Sequence, residues 1–197
     1  MAFAKIKLNE KFLNINNKPS ISEELLVSTS QFSNLAAQSI TAITATYIYE
    51  LNKAHTDLGL NTNTMLFEKE FIFYAINLFK NSLFKSLGIF NENRLLSFVN
   101  EYNLESSFKI EINKIVPKIS YNQFKENIKT ILNNNHPIVL NLKAKRSLFK
   151  NSWMIITMLD EDFITVVRDG KFEKIDLAQI FRDKKAEILA YYLNIRV

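Results

Sequence analysis

The groups available for chemistry in this chain are few. It has 197 residues, no cysteine and two histidines, His55 and His136, set far apart. Without a thiol there is no cysteine nucleophile, no thiolate metal site and no disulfide, and the redox compartment is left open. The histidines show neither His-x-x-x-His nor Glu-x-x-His spacing, so a zinc site would need distant carboxylates to converge. No metal or other cofactor is expected. Three glycines are too few for a loop whose backbone N–H groups cradle a phosphate.

Acid–base chemistry would have to draw on His55 with carboxylates such as Glu50, Asp57 or Glu68. The sequence places His55 and Asp57 just beyond a first helix, beside Gly59. A lone histidine in such a loop is expected to be exposed and structural. Ser33 and Ser39 offer hydroxyls, but a serine attacks only when a neighbouring base takes its proton.

The formal charge of +5 favours acidic partners in a general way. The basic residues are scattered, and their densest group is Lys143, Lys145, Arg146 and Lys150. That group reads as a solvated loop; the alternative is a patch for nucleic acid or another anionic surface, aided by Arg94 or Arg182. Phe149 is the one aromatic interleaved there, where single-strand stacking would need several. The opening segment MAFAKIKLNEKFLN is too charged for a signal peptide, and no run of 18 apolar residues occurs. A soluble chain is expected, cytoplasmic or exported without a classical signal, and its oligomeric state is left open.

Positioning these groups falls to a helical half followed by a strand-rich half. Residues 1–24 read as an extended lead-in and 25–197 as a single domain, with a strand at Leu25–Val27. Ile40, Ile43, Tyr47 and Leu51 recur at helical spacing over Asn34–Lys53, where several alanines permit close packing. Thr64–Ser86, rich in Phe and Leu, predicts one or two buried helices, and Leu95–Tyr102 a further short one. Phe108, Ile110 and Ile112 alternate with polar residues as in a half-buried strand. Ser120 with Gln123 forms a capping-box signature ahead of Phe124, Ile128 and Ile131. After Pro137 come strands at Ile138–Leu142, Trp153–Leu159, Phe163–Val167 and Ile188–Ile195, with a hairpin turn at Asp169-Gly170. Helices first and an antiparallel sheet second make an α+β domain.

Read in order, these features resemble the papain-like cysteine peptidase superfamily, in its bacterial branch of bacteriocin-leader-processing peptidases. Gln31 precedes Leu35-Ala36-Ala37 at the head of the alanine-rich helix, where the family carries an oxyanion-donating Gln and then the nucleophilic Cys. Asn135-His136-Pro137 leads into an apolar strand as in the family. Ser152-Trp153-Met154-Ile155-Ile156-Thr157-Met158 resembles the strand that begins with the catalytic histidine, which puts Ser152 at that position. Asp169 falls where the third catalytic residue stands.

The resemblance therefore implies a papain-like domain, its N-terminal helical half packed on the C-terminal antiparallel sheet, whose catalytic pair is missing. Alanine offers no lone pair, and a serine replaces the base. The degenerate site positions are Gln31, Ala36, Ala37, Ser152 and Asp169, with Ser33, Ser39 and Trp153 as cleft-lining candidates. On this reading the protein is a pseudoenzyme that holds a protein or peptide partner. It serves as an effector or a secretion accessory, and the alternatives are anion binding or hydrolysis by non-cysteine chemistry.

Overall fold

The computed structural model describes residues 3–7, 34–59, 65–79, 92–106, 109–115, 120–143, 152–169, 171–182 and 187–196. Their elements run β1 (Phe3–Lys5), α1 (Asn34–Asp57), α2 (Met65–Phe79), α3 (Glu92–Glu105), β2 (Lys109–Ile115), α4 (Tyr121–Asn133), β3 (Ile138–Lys143), β4 (Ser152–Asp160), β5 (Phe163–Arg168), β6 (Lys171–Asp176), α5 (Leu177–Arg182) and β7 (Glu187–Arg196). The fold is mixed α+β with an antiparallel sheet. Leu25–Val27 lies outside the described residues.

The sheet order is β2-β7-β3-β4-β5-β6, and β1 joins β4. β1 pairs with Met158–Asp160, whereas β3 pairs with Ser152–Ile156. The two strands thus share one edge of β4. Successive strand residues point to opposite faces, yet Ile138–Leu142 and Ser152–Thr157 are buried without a break. Such burial requires cover on both faces. α1 lies against β3, β4 and β7, while α4 lies against β1, β3 and β4.

Local chemistry explains several boundaries. Ser120 caps α4 by accepting from the Gln123 N–H, and Gln123 Oε1 accepts in return from the Ser120 N–H at 3.2 Å. α4 then buries Phe124, Ile128 and Leu132, one stripe at helical spacing. α1 runs past Lys53 to Asp57 and stops at Gly59, whose φ of 63° suits a residue without Cβ. His55 is consequently not in a loop: it sits in the last turn of α1 and is buried at 7% exposure. The expectation of an exposed histidine is corrected by this extra turn of helix.

The helical layer is knit by aromatic rings. Tyr47 stacks on Phe71 with centroids 3.9 Å apart, and Tyr102 meets both edge-on. Such offset and T-shaped pairs add to the area they bury. α3 also reaches the sheet through Asn103, whose side-chain amide donates to the Ile110 carbonyl at 2.8 Å and accepts from the Ile110 N–H at 2.7 Å. β2 is an end strand, so Asn103 supplies both hydrogen bonds that a further strand would have made at that position. Lys109 Nζ clasps the carbonyls of Asn103 and Ser106 and holds this corner.

Candidate functional site

Three elements converge near the start of α1. Gln38 follows Ala37, and its side chain spans two of them. Its Oε1 lies 3.5 Å from the Trp153 N–H at the start of β4, and its Nε2 donates to Asp169 Oδ2 at 3.2 Å. Asp169 sits at the β5–β6 turn with φ of 49°, a left-handed conformation that aspartate tolerates better than most residues. The turn type thus aims a carboxylate toward the helix.

Ser152 opens β4 and is buried at 6% exposure. Arg168, the last residue of β5, approaches its Oγ to 3.5 Å through Nη1. The same guanidinium grips Glu173 of β6 from Nη2, at 2.7 Å and 3.0 Å to its two carboxylate oxygens. A charge-assisted contact of this kind fixes a planar side chain firmly. Beside a fixed cation, Ser152 can exchange hydrogen bonds but cannot serve as a proton acceptor. Ala37 contributes only a methyl group. The arrangement presents amide, carboxylate, hydroxyl and guanidinium groups, and none of these contacts among the described residues pairs a nucleophile with a base.

Of the positions singled out from the sequence, Ser152 and Asp169 come together around Gln38, and Ala37 immediately precedes it. Ala36 lies in the first turn of α1. Ser39 is fully buried, which takes it away from a surface cleft. Trp153 is also buried and meets Tyr191 edge-on at 6.3 Å, so its ring anchors the core rather than lining an open groove. Gln31 and Ser33 lie outside the described residues, as do Lys145, Arg146 and Lys150. Lys143, the described member of the basic group, pairs with Glu187 at 3.1 Å on the surface.

The chain matches no family model, no curated protein and no solved structure. Gln38, Arg168 and Glu173 were not anticipated as site residues. The signal for Gln38 was its place: a long amide directly after Ala36-Ala37, whose side chains are too small to bridge a gap. Arg168 and Glu173 carry no such signal, because their meeting depends on the register of β5 on β6.

A second polar cluster lies further along α1. Glu50, 2% exposed, accepts at 2.9 Å from His136 Nδ1, and Lys53 Nζ stands 3.6 Å from its other oxygen. The ring of Tyr192 lies 4.9 Å from that of His136. Beside it, Asn135 Oδ1 accepts from Tyr49 Oη at 2.5 Å and from the Lys7 N–H at 2.7 Å. These contacts tie α1, the α4–β3 turn and the segment after β1 into one corner. Glu68, the other buried carboxylate of the helical layer, lies 3.3 Å from Asn52 Nδ2. Asp57 ends α1 and is exposed. The histidine that meets Glu50 is His136 rather than His55. No group of three metal-ligating side chains occurs among the described residues, and none of their helices is long and apolar enough to cross a membrane.

Proposed function

We propose that this chain is a non-catalytic, papain-like binding module that holds a protein or peptide partner near the start of α1 without cleaving it. The observation supporting the reading is the hydrogen-bonded link from Gln38 to Trp153 and Asp169, with Ser152 alongside under Arg168. The positions that the resemblance assigns to base and third residue stand together there. The chain has no sulfur nucleophile, and its base position carries a hydroxyl beside a cation. Amide, carboxylate and guanidinium groups at one site suit the polar groups of a peptide backbone.

The test is an array of fluorescent peptides presented to the full chain, read in parallel for capture and for cleavage. Capture without cleavage, weakened about tenfold in Gln38→Ala and Asp169→Ala, is expected. Cleavage that vanishes in Ser39→Ala or Asp169→Ala would overturn the reading.

A further inference from the structure

The two end strands of the sheet are treated differently. On β2, Asn103 already engages the outward N–H and C=O of Ile110. β6 is hydrogen-bonded to β5 on one side, and among the described residues no strand lies on its other side. Arg168 and Lys171 are paired across two intervening residues, which makes them the hydrogen-bonded pair that closes the hairpin. The alternation of the ladder then turns the N–H and C=O groups of Phe172 and Lys174 outward.

The side chains on this edge have a definite character. Phe172 and Phe163 are 46% and 43% exposed, and the register puts both on one face of the sheet. Lys174 Nζ lies over the Phe163 ring at 4.8 Å and touches Asp160 at 3.3 Å, a surface pair that exchanges readily. The carboxylate in the middle of the strand, Glu173, is half-buried and engaged by Arg168. An incoming strand therefore meets the exposed Phe172 ring and the Lys174 ammonium group on one face of the sheet and the Lys171 ammonium group on the other.

We propose that β6 is a docking edge for an extended segment of another protein, with an apolar residue opposite Phe172 and acidic residues opposite Lys171 and Lys174. The segment adds as an antiparallel strand, its backbone pairing with Phe172 and Lys174. A second copy of this chain fits less well. Two-fold pairing along the whole of β6 sets Glu173 against Glu173 of the other copy, or Lys174 against its own counterpart. Registers that avoid this keep only about half the strand paired. β6 adjoins the site around Gln38 through Glu173, which Arg168 holds, but backbone pairing at Phe172 and Lys174 uses none of that site's side-chain contacts.

The experiment titrates the isotope-labelled full chain with the acetylated, amidated hexapeptide Thr-Val-Glu-Thr-Val-Glu and follows backbone amide shifts by NMR. In the antiparallel register its third residue faces Lys174 and its fifth faces Phe172. Shifts centred on the Phe172 and Lys174 amides are expected. N-methylation of the third residue should abolish binding, while N-methylation of the fourth leaves it intact. Lys174→Glu should weaken binding about tenfold. Equal loss from both methylations, shifts centred away from β6, or no shift at millimolar peptide would overturn the proposal. So would a free chain that sediments as a dimer with its β6 amides already protected.

Discussion

Gln38 of α1 donates to the carboxylate of Asp169, 131 positions later in the chain, at 3.2 Å. The bond fastens the helical layer to the β5–β6 turn at a point where both residues face solvent. Replacing Gln38 by Glu keeps the shape and reverses the sense of the contact, setting one carboxylate against another. The variant should lose about 1 kcal/mol of stability at neutral pH. Mutual repulsion raises the carboxyl pKa values of the pair in the folded state. The penalty is therefore present above the carboxylate range and fades as pH falls through it. Urea midpoints of the two proteins at pH 7 and near pH 3.5 would check this, and a gap that does not narrow in acid would refute it.

The corner made by Glu50, Lys53 and His136 holds a carboxylate that is almost wholly removed from water. His136→Ala takes away its nearest donor and leaves Lys53 as its remaining ionic partner. A loss on the order of 3 kcal/mol is expected, as when one member of a buried pair is deleted. Glu50→Gln in the same background should recover part of that loss, because a buried amide costs less than a carboxylate that has lost its nearest donor. Equilibrium denaturation of the two variants measures both steps. A His136→Ala loss below the error of the measurement would show that this corner bears little of the stability.

Burial pushes the phenols of Tyr47, Tyr102 and Tyr191 upward, so all three stay neutral in the folded chain beyond the ordinary tyrosine range. In the unfolded chain they ionise near pH 10. Their contribution is thus intact below pH 10 and drains away above it, as the unfolded state alone releases protons. Absorbance at 295 nm should show Tyr47, Tyr102 and Tyr191 titrating above the ordinary tyrosine range, together with Tyr121, which burial and its hydrogen bond to Asp162 also push upward. Tyr191 adds an internal control. Its hydroxyl is buried without a hydrogen-bond partner among the described residues, whereas Tyr47 and Tyr102 share a hydrogen bond at 2.8 Å. Tyr191→Phe should be neutral or stabilising and Tyr47→Phe destabilising by about 1 kcal/mol.

Much of this architecture was legible where a short-range rule sufficed. Ser120 and Gln123 announced the start of α4 because a capping box is a contact within one turn. The alternation at Ile110 and Ile112 announced β2 because one strand face is buried. Strands β3, β4, β5 and β7 followed from their apolar runs. β1 did not: three residues cannot show a period, and Phe3–Lys5 becomes a strand only through pairing with Met158–Asp160. α5 is equally short, and its Leu177 and Ile180 are fixed by burial. His55 was misplaced because Ala54 to Asp57 carry no stop signal, and the helix ends only at Gly59.

At the site, Ser152 and Asp169 could be proposed from strand and turn patterns. Gln38 as the bridge, and Arg168 as the neighbour of Ser152, depend on how three elements meet. The Glu50–His136 contact spans 86 positions, beyond the reach of any local pattern. Its partners look ordinary one at a time: Glu50 sits in an apolar helix, and His136 precedes a proline.

Asn103 gives the sheet a direction. Filaments built by edge pairing need two complementary ends on every subunit, so that each addition recreates the site just consumed. Here a neighbouring strand cannot run the length of β2, because at Ile110 a side chain already fills its place. Among the described residues, then, β6 has no matching full-length site at β2, and copies of the chain cannot extend a row by joining β6 of one to the whole of β2 of the next.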